Sequence, residues 1–262
     1  MGSAPHRGVP ALTARLSGVE RVKARQQPRP TVVWSVVTAE LAARPVGRAG
    51  RILDVGGGTG GFAVPLAEAG HRVTVVDTSP NALAGLMQRA TEAGVADSVT
   101  AVQGDADALP GLQDCDGVGL VLCHSVLEMV DSPSAAIEAV HEVLEPGGAA
   151  SILVANRAGA VLSRAAAGNL ASATAILTDP AGRSGDRDNL LRRFTPESLS
   201  DLVTRGGLVT EQVHGVNVVT DLVTVSESGS EQALREFELA TATTAPYRDI
   251  ATQIHILARK PG

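Results

Sequence analysis

A cluster of glycines lies where a first β-strand is predicted to turn into a first helix. It follows an apolar run and an acid, in the stretch Leu53-Asp54-Val55-Gly56-Gly57-Gly58-Thr59-Gly60-Gly61. Glycine accepts positive φ angles at such a turn and lets a ligand approach the backbone amides closely. The spacing Gly56-x-Gly58-x-x-Gly61 matches a dinucleotide-binding fingerprint. Other nucleoside-type cofactors need similar glycines, so this loop predicts a class of ligand and leaves the ligand itself open.

Three acids are predicted at the carboxyl ends of the first three strands: Asp54 and Asp77 end the first two strands, and Asp105 follows the third. In an open α/β sheet, ligands bind outside the carboxyl ends of the strands. Asp77 lies about 20 residues beyond the glycines, where an acid accepts hydrogen bonds from two ribose hydroxyls. Its alternative role is to cap the helix that begins at Pro80. Asp105 can accept from an exocyclic adenine amine, with the Ala106 amide facing the ring, or it can stabilise a turn.

The segments that position these acids alternate between strand and helix. Apolar and β-branched runs predict strands at residues 51–55, 71–77, 99–103, 117–124, 149–155, 209–219 and 250–259. Helices are predicted between them, with Pro80 and Pro133 each opening one. The alternation predicts an α/β fold with a doubly wound, mostly parallel sheet. We expect a helical cap at residues 1–48 and a main domain at 49–262, with a substrate-facing insertion at about 156–194.

The bulk composition limits the class of protein. The chain has 262 residues, of which 44% are hydrophobic and 2% aromatic, so its core is predicted to be aliphatic. The net charge of −6 creates no general attraction to nucleic acid or to an anionic membrane. Cys115 and Cys123 lack metal-ligand or redox spacing, which predicts reduced core thiols and no metal site. No apolar run is long enough to span a bilayer, and a cytoplasmic location is expected.

Four motifs follow one another in a fixed order: Leu53-Asp54-x-Gly56-x-Gly58-x-Gly60, Asp77, Gly104-Asp105-Ala106 and Val143-Leu144-Glu145-Pro146-Gly147-Gly148. Together they resemble class I S-adenosylmethionine-dependent methyltransferases over about residues 50–155. The resemblance implies a seven-stranded Rossmann-like sheet and S-adenosylmethionine as cofactor. The acid before the glycines and the Pro-Gly-Gly turn argue against a nicotinamide-dependent oxidoreductase. The resemblance further implies cofactor binding by Asp54, Gly56, Gly58, Gly60, Asp77, Thr78, Asp105, Ala106 and His124.

A second set of motifs covers most of the chain: Cys123-His124-Ser125-Val126-Leu127-Glu128-Met129-Val130, Asn156, Ala167-Gly168-Asn169, Gly215-Val216-Asn217-Val218 and Ile254-His255-Ile256-Leu257-Ala258-Arg259-Lys260-Pro261. This set resembles the bacterial tRNA 5-carboxymethoxyuridine methyltransferases, which methylate a carboxylate on the wobble uridine. That resemblance implies that Arg29, five residues before Trp34, binds the amino-acid end of the cofactor.

A tRNA carboxylate is therefore the first predicted acceptor, and two departures from that group favour the alternative, a small-molecule acceptor. Asn217 stands where the group has an arginine. Where the group carries a lysine cluster, residues 181–193 mix both signs of charge, with Arg183, Arg187, Arg192, Arg193, Asp186 and Asp188. The sequence therefore leaves three hypotheses: a tRNA methyltransferase, a small-molecule O- or N-methyltransferase of the same fold, and a nicotinamide-dependent oxidoreductase. It also leaves the oligomeric state open.

The need for a general base depends on the acceptor. A carboxylate, with a pKa of about 4, is already ionised at neutral pH, whereas a hydroxyl or an amine needs a base. His124 is the leading candidate because it follows the fourth strand; its alternative role is to hydrogen-bond the backbone. Asn156 is predicted to contact substrate, with a surface turn as its alternative, and His124 and Asn156 are the candidate catalytic residues. His214 and His255 fall in predicted strands and are interpreted as structural.

Overall fold

A computed structural model describes residues 31–43, 51–220 and 230–262. Within them, seven strands form one sheet in the order β3-β2-β1-β4-β5-β7-β6. The strands are β1 (Ile52–Val55), β2 (Val73–Asp77), β3 (Val99–Gln103), β4 (Val118–His124), β5 (Leu144–Ala155), β6 (Val209–Val216) and β7 (Gln253–Arg259). Strands β1 to β5 pair in parallel, and β7 inserts antiparallel between β5 and β6. The prediction of a mostly parallel seven-stranded sheet is confirmed.

Helices flank this sheet on both faces. They are α1 (Thr31–Ala43), α2 (Ala63–Glu68), α3 (Pro80–Glu92), α4 (Pro133–Val143), α5 (Arg157–Ala166), α6 (Leu170–Thr178), α7 (Pro196–Arg205), α8 (Ser230–Thr241) and α9 (Tyr247–Ile250). The predicted starts at Pro80 and Pro133 are confirmed, because the Ser79 and Ser132 hydroxyls cap those helices. Within the described residues, no helix combines the length and the apolar character needed to cross a bilayer.

Three predicted strand boundaries differ from the structure by three residues or more, and one of them is the end of β6, which lies at Val216 and not at residue 219. The Pro146-Gly147-Gly148 segment, predicted as a turn, lies inside β5, because the Gly147 amide donates to the Lys260 carbonyl and the Lys260 amide donates to Gly148. The last strand begins three residues later than predicted, at Gln253, because the short helix α9 precedes it. Of the predicted cap at residues 1–48, the structure describes α1; residues 1–30 and 44–50 lie outside the described residues.

The core is aliphatic on both faces of the sheet, as its composition predicts. On one face, β4 and β5 pack against α4 and α7 through residues such as Ile137 and Leu199. On the other face, α1, α2 and α3 cover the sheet with Val33, Leu66 and Leu86. Because every residue of β1 is buried, the carboxyl ends of β1, β2 and β4 are held at fixed positions along one edge of the sheet.

Candidate active site

A cavity of about 610 Å³ opens at the carboxyl edge of the parallel strands. Its position, beyond the ends of β1, β2, β3 and β4, is where ligands bind in open α/β sheets. Five predicted cofactor residues line it together, namely Gly56, Asp77, Thr78, Asp105 and Ala106. Its other walls come from the segment after β4 and from flanking residues: Val55, Val76, Gly104, Asp107, Ser125, Val126, Met129, Val130 and Asp131. The predicted residues Asp54, Gly58, Gly60 and His124 lie outside this lining, and Arg29 lies outside the described residues.

The glycine loop contributes shape more than free hydrogen-bond donors. Gly56, Gly58 and Gly60 all have positive φ angles, of 67°, 57° and 80°. Their amides donate within the protein: Gly56 to the Val76 carbonyl, Gly58 to Asp77 and Gly60 to the Gly57 carbonyl. This differs from the expectation that these amides face the ligand, because the tight loop satisfies its own donors. A Cβ atom on Gly58 would meet no side chain within 4 Å, so the space above the loop is open to a ligand.

Asp77 joins the glycine loop to the start of α3. Its Oδ2 accepts from the Gly58 amide at 3.0 Å, and its Oδ1 accepts from the Ser79 amide at 2.8 Å. The hydroxyl of Ser79 caps α3, so Asp77 does not perform the capping role that the sequence left open. Each carboxylate oxygen keeps a further lone pair, and the side chain lines the cavity. Its position is therefore suited to accepting from two vicinal hydroxyls.

Asp54 is a buried carboxyl group beneath the loop, 3% exposed. Gly57 makes room for it, because a Cβ atom there would lie 2.5 Å from Oδ2 of Asp54. Burial, and to a lesser extent the nearby charge of Asp77, raises the pKa of Asp54 to about 7. Asp54 therefore shapes the loop from below and is half-protonated near neutral pH.

The lining residues fit S-adenosylmethionine. Two carboxylates, Asp77 and Asp105, can accept from ribose hydroxyls and from an adenine amine. The apolar side chains of Val76, Ala106 and Val126 offer a surface for a planar base. The acid-rich wall suits a ligand that carries a positive sulfonium.

His124 ends β4 beside the glycine loop, because Val55 of β1 pairs with Cys123 and the next residues are Gly56 and His124. Its ring contacts Phe62 edge to face, with the centroids 4.7 Å apart. Nε2 lies 2.9 Å from the Ser151 hydroxyl, and Nδ1 is buried without a partner among the described residues. Burial lowers the pKa of His124 to about 3, so its imidazole is neutral.

Asn156 has a structural role that differs from the predicted catalytic one. The side chain is 0% exposed and its Oδ1 accepts from the Ala158 amide, which caps α5. Its Nδ2 donates to the carbonyls of Asp249 and Ala251, at 2.9 and 2.7 Å. Both amide hydrogens are therefore used and no atom faces the cavity. The alternative of a surface turn does not describe this residue either, because the side chain is buried and its polar atoms are used by helix capping and by backbone carbonyls.

Residues 179–194 are hydrogen-bonded to the segment after β4. The Arg192 guanidinium donates to the carbonyls of Leu127, at 2.9 Å, Val130, and Asp131, at 3.2 Å. The Leu191 amide donates to the Glu128 carbonyl at 2.9 Å. Because Val130 and Asp131 line the cavity, the hydrogen bonds from Arg192 stabilise this part of the cavity wall. Sequence reasoning treated Arg192 as part of a mixed-charge loop; no local pattern indicates these long-range contacts.

Glu128 is buried at the end of the same segment. Its Oε1 accepts from the Ala155 amide at 3.2 Å, and its Oε2 has no partner among the described residues. Burial raises the pKa of Glu128 above its usual value, against the opposing effect of two backbone hydrogen bonds and of Arg192 and Arg193.

Among the described residues, no group of three or more His, Cys, Asp or Glu side chains could hold a metal ion.

Comparison with known proteins agrees with this site. Residues 53–152 match the family described as a methyltransferase domain. The chain is 28% identical over 240 residues to the tRNA 5-carboxymethoxyuridine methyltransferase of Escherichia coli K12, covering 90% of this chain and 89% of that protein. It is 32% identical over 128 residues to the ubiquinone biosynthesis O-methyltransferase of Pseudomonas aeruginosa, covering 48% of this chain and 50% of that protein.

A solved structure shares the fold. It is a Thermotoga maritima protein described as an S-adenosylmethionine-dependent methyltransferase, a possible histamine N-methyltransferase. The two chains superpose with a TM-score of 0.54 at 20% identity, over 88% of this chain and 89% of the other. The cavity at the carboxyl edge, the acids that line it and these similarities lead to one conclusion: the chain is a class I S-adenosylmethionine-dependent methyltransferase.

Proposed function

We propose that this enzyme methylates an oxygen or a nitrogen atom of a small molecule. The observation that carries the proposal is the use of the arginines in residues 181–193. Arg193 is held by Asp188, with the two side chains 7% and 5% exposed, and Arg192 is held by backbone carbonyls. Only Arg183 and Arg187 remain, opposed by Asp186, so the segment offers little positive surface to a polyanion.

The acids around the cavity support the same conclusion. Asp107 and Asp131 line it in addition to the two predicted cofactor acids. Four carboxyl groups around the cavity favour a cationic cofactor and disfavour an anionic acceptor beside it. A neutral small molecule avoids this repulsion.

The bound cofactor supplies an electrophilic methyl group on sulfur. In this proposal Asp77 accepts from the ribose hydroxyls, Asp105 accepts from the adenine amine, and Thr78 and Ala106 contact the base. Asp54, Gly56, Gly58 and Gly60 keep the loop in shape, and Arg29 binds the amino-acid end. The enzyme acts mainly by proximity and alignment, because methyl transfer is an in-line displacement. Residues 156–194 are proposed to face the acceptor.

A second candidate acceptor is the carboxylate of 5-carboxymethoxyuridine in tRNA. The support is the similarity to the E. coli enzyme, which covers 90% of this chain. This acceptor is already ionised and would need no base. A cytoplasmic location is consistent with this candidate and stays a prediction.

Labelled S-adenosylmethionine separates the two candidates. The enzyme is incubated either with tRNA that contains carboxymethoxyuridine or with a panel of phenols, catechols and amines. The proposal expects label in a small molecule and none in the tRNA nucleosides, as measured by mass spectrometry. The appearance of a methyl-ester uridine, with no small-molecule product, would overturn it. The variant Asp77→Ala, which is expected to lose cofactor binding, is the negative control with both kinds of acceptor.

A further inference from the structure

Ser125, the residue that directly follows β4, has a backbone conformation that is unusual for a serine. Its φ angle is 57°, in the left-handed region that disfavours residues with a Cβ atom. Among the residues that the structure describes, the non-glycine residues with a positive φ angle are Asp114, Ser125 and Asn217. Aspartate and asparagine tolerate this region better than other side chains do. Ser125 is therefore the one of the three whose residue type does not explain its conformation.

The turn after β4 does not itself require a side chain at this position. The Ser125 amide donates to the Leu153 carbonyl at 2.8 Å, which continues the pairing of β4 with β5. The chain then turns so that Val126 packs over Gly56, because a Cβ atom on Gly56 would lie 2.5 Å from a methyl carbon of Val126. Glycine would make the same turn without strain, as Gly56 does after the neighbouring strand β1. The serine side chain therefore needs a reason other than the path of the backbone.

Ser125 is exposed and lines the cavity. Its hydroxyl forms no hydrogen bond within the part of the chain that the structure describes. The nearby serines Ser79 and Ser132 differ in this respect, because their hydroxyls cap α3 and α4. The donor and the acceptor lone pairs of the Ser125 hydroxyl are therefore available to a ligand in the cavity.

The order of the strands indicates which end of the cofactor would reach Ser125. The cavity extends past the ends of β3, β2, β1 and β4, and neighbouring strands are about 4.8 Å apart, so it crosses about 14 Å of the sheet. Asp105 and Asp77, on the β3 and β2 side, are the proposed partners of the adenine amine and the ribose. An adenosine in that position leaves the β1 and β4 side for its 5′ substituent, which carries the sulfur and the amino-acid group.

We propose that Ser125 is a further cofactor-binding residue whose hydroxyl accepts a hydrogen bond from the ammonium group at the amino-acid end of S-adenosylmethionine. The proposal rests on the cofactor placement given under the proposed function, and it does not depend on the methyl acceptor. An ammonium group has three N–H donors, and a hydroxyl oxygen is a suitable acceptor for one of them. Hydrogen bonds to charged groups are the stronger ones, so ligand binding offsets the strain of the left-handed backbone.

The first test uses two ligands that differ at the amino-acid end. S-adenosylhomocysteine and 5′-methylthioadenosine share adenosine and sulfur, and 5′-methylthioadenosine lacks the amino-acid group. In isothermal titration calorimetry, Ser125→Ala should weaken binding of S-adenosylhomocysteine by about 10-fold or more and leave 5′-methylthioadenosine unaffected. The matched control Ser200→Ala removes a hydroxyl that bonds the Pro196 carbonyl in α7, and it should change neither affinity. Unchanged binding of S-adenosylhomocysteine to Ser125→Ala, or equal losses for both ligands, overturns the contact.

The second test separates the hydroxyl from the backbone. Ser125→Gly removes both the hydroxyl and the strain, whereas Ser125→Ala removes the hydroxyl and keeps the strain. Without ligand, the Tm of the glycine variant should exceed that of the alanine variant by about 2–4 °C, while both lose the same affinity for S-adenosylhomocysteine. Asp114→Gly is the control, because it relieves a φ angle of 57° outside the cavity lining and should leave affinity unchanged. A glycine variant that binds like the wild type would overturn the proposal, because the backbone alone would then be sufficient.

Asp77→Ala separates failure of this contact from failure of the cofactor placement. Both ligands carry the ribose, so the placement expects Asp77→Ala to lose affinity for both. If it does, and Ser125→Ala retains its affinity for S-adenosylhomocysteine, the Ser125 contact alone is wrong. If Asp77→Ala binds both ligands like the wild type, the placement is wrong and the Ser125 contact is contradicted with it.

Discussion

Two regions of the molecule meet at the glycine loop, and they are built in different ways. The cofactor cavity uses residues at or just after the ends of β1, β2, β3 and β4, and each lies in a short local segment. The second region is a hydrogen-bonded chain of side chains, His124, Ser151, His255 and His214, which come singly from β4, β5, β7 and β6. The backbone shapes the first region, whereas side chains that are distant in sequence build the second. Substitutions in the cavity should therefore change cofactor binding, and substitutions beyond it should change stability or turnover.

The largest expected effect is the loss of cofactor affinity in Asp77→Ala. The substitution removes the acceptor for the ribose hydroxyls and releases the Gly58 and Ser79 amides. Hydrogen bonds to a charged group contribute about 1.5–3 kcal/mol each, so affinity for S-adenosylhomocysteine should fall by at least about 100-fold. Isothermal titration calorimetry measures it, with the exposed Asp97→Ala as control. Unchanged affinity in Asp77→Ala would remove this residue from the site.

A second prediction concerns Asp54 and the pH dependence of stability. The pKa of this carboxyl is about 7 in the folded protein, against an ordinary value of 3.8 for an exposed aspartate, so the folded state holds the proton more tightly than the unfolded chain. Below about pH 4 both states are protonated, and the wild type loses stability as the pH rises from about 4 to 7. Asp54→Asn lacks this penalty, which amounts to about 4 kcal/mol at most.

Urea unfolding without cofactor at several pH values measures this difference. The advantage of Asp54→Asn over the wild type should grow between pH 4 and 7 and then level off. Asp97→Asn, a substitution at the surface, should show no such trend. A flat difference for Asp54→Asn would mean that the buried carboxyl is not perturbed.

The sequence was sufficient to predict the residues of the cavity, because the ends of the strands determine where the cavity lies. The predicted positions of Asp77 and Asp105 needed only the ends of β2 and β3, and both residues line the cavity. The hydrogen-bonded chain of His124, Ser151, His255 and His214 could not be predicted from the sequence, because it depends on the register of β7. Ser151 and His255 are separated by 104 residues, and they meet only because β7 inserts beside β5. The sequence placed His214 and His255 in strands but did not indicate that they share a face with His124.

Asn156 is a residue for which the sequence and the structure indicate different roles. The sequence marked it as a substrate contact, and its burial and three hydrogen bonds mark it as a structural residue. Asn156→Ala removes the donor to the buried Ala251 carbonyl and to the partly buried Asp249 carbonyl, and it removes a helix cap. We expect a loss of about 2–4 kcal/mol in unfolding free energy, with kcat of the folded enzyme unchanged.

Chemical unfolding and a kinetic assay on the same sample decide this point. Asn169→Ala is the matched control, because Asn169 caps α6 with the same atom but is exposed. It should lose about 1 kcal/mol or less. A large drop in kcat with unchanged stability in Asn156→Ala would restore the catalytic interpretation.

The smallest expected effect is at Arg192, which links residues 179–194 to the cavity wall. Arg192→Met removes three hydrogen bonds to the segment after β4 and keeps most of the side-chain volume. Val130 and Asp131 would then be less well ordered, and cofactor affinity should fall about three- to tenfold, or about 1 kcal/mol. Arg187→Met removes the same charge from an exposed position and should leave affinity unchanged. Equal losses in both variants would indicate a general effect of charge, whereas a loss confined to Arg192→Met would show that residues distant from the cavity hold its wall in place.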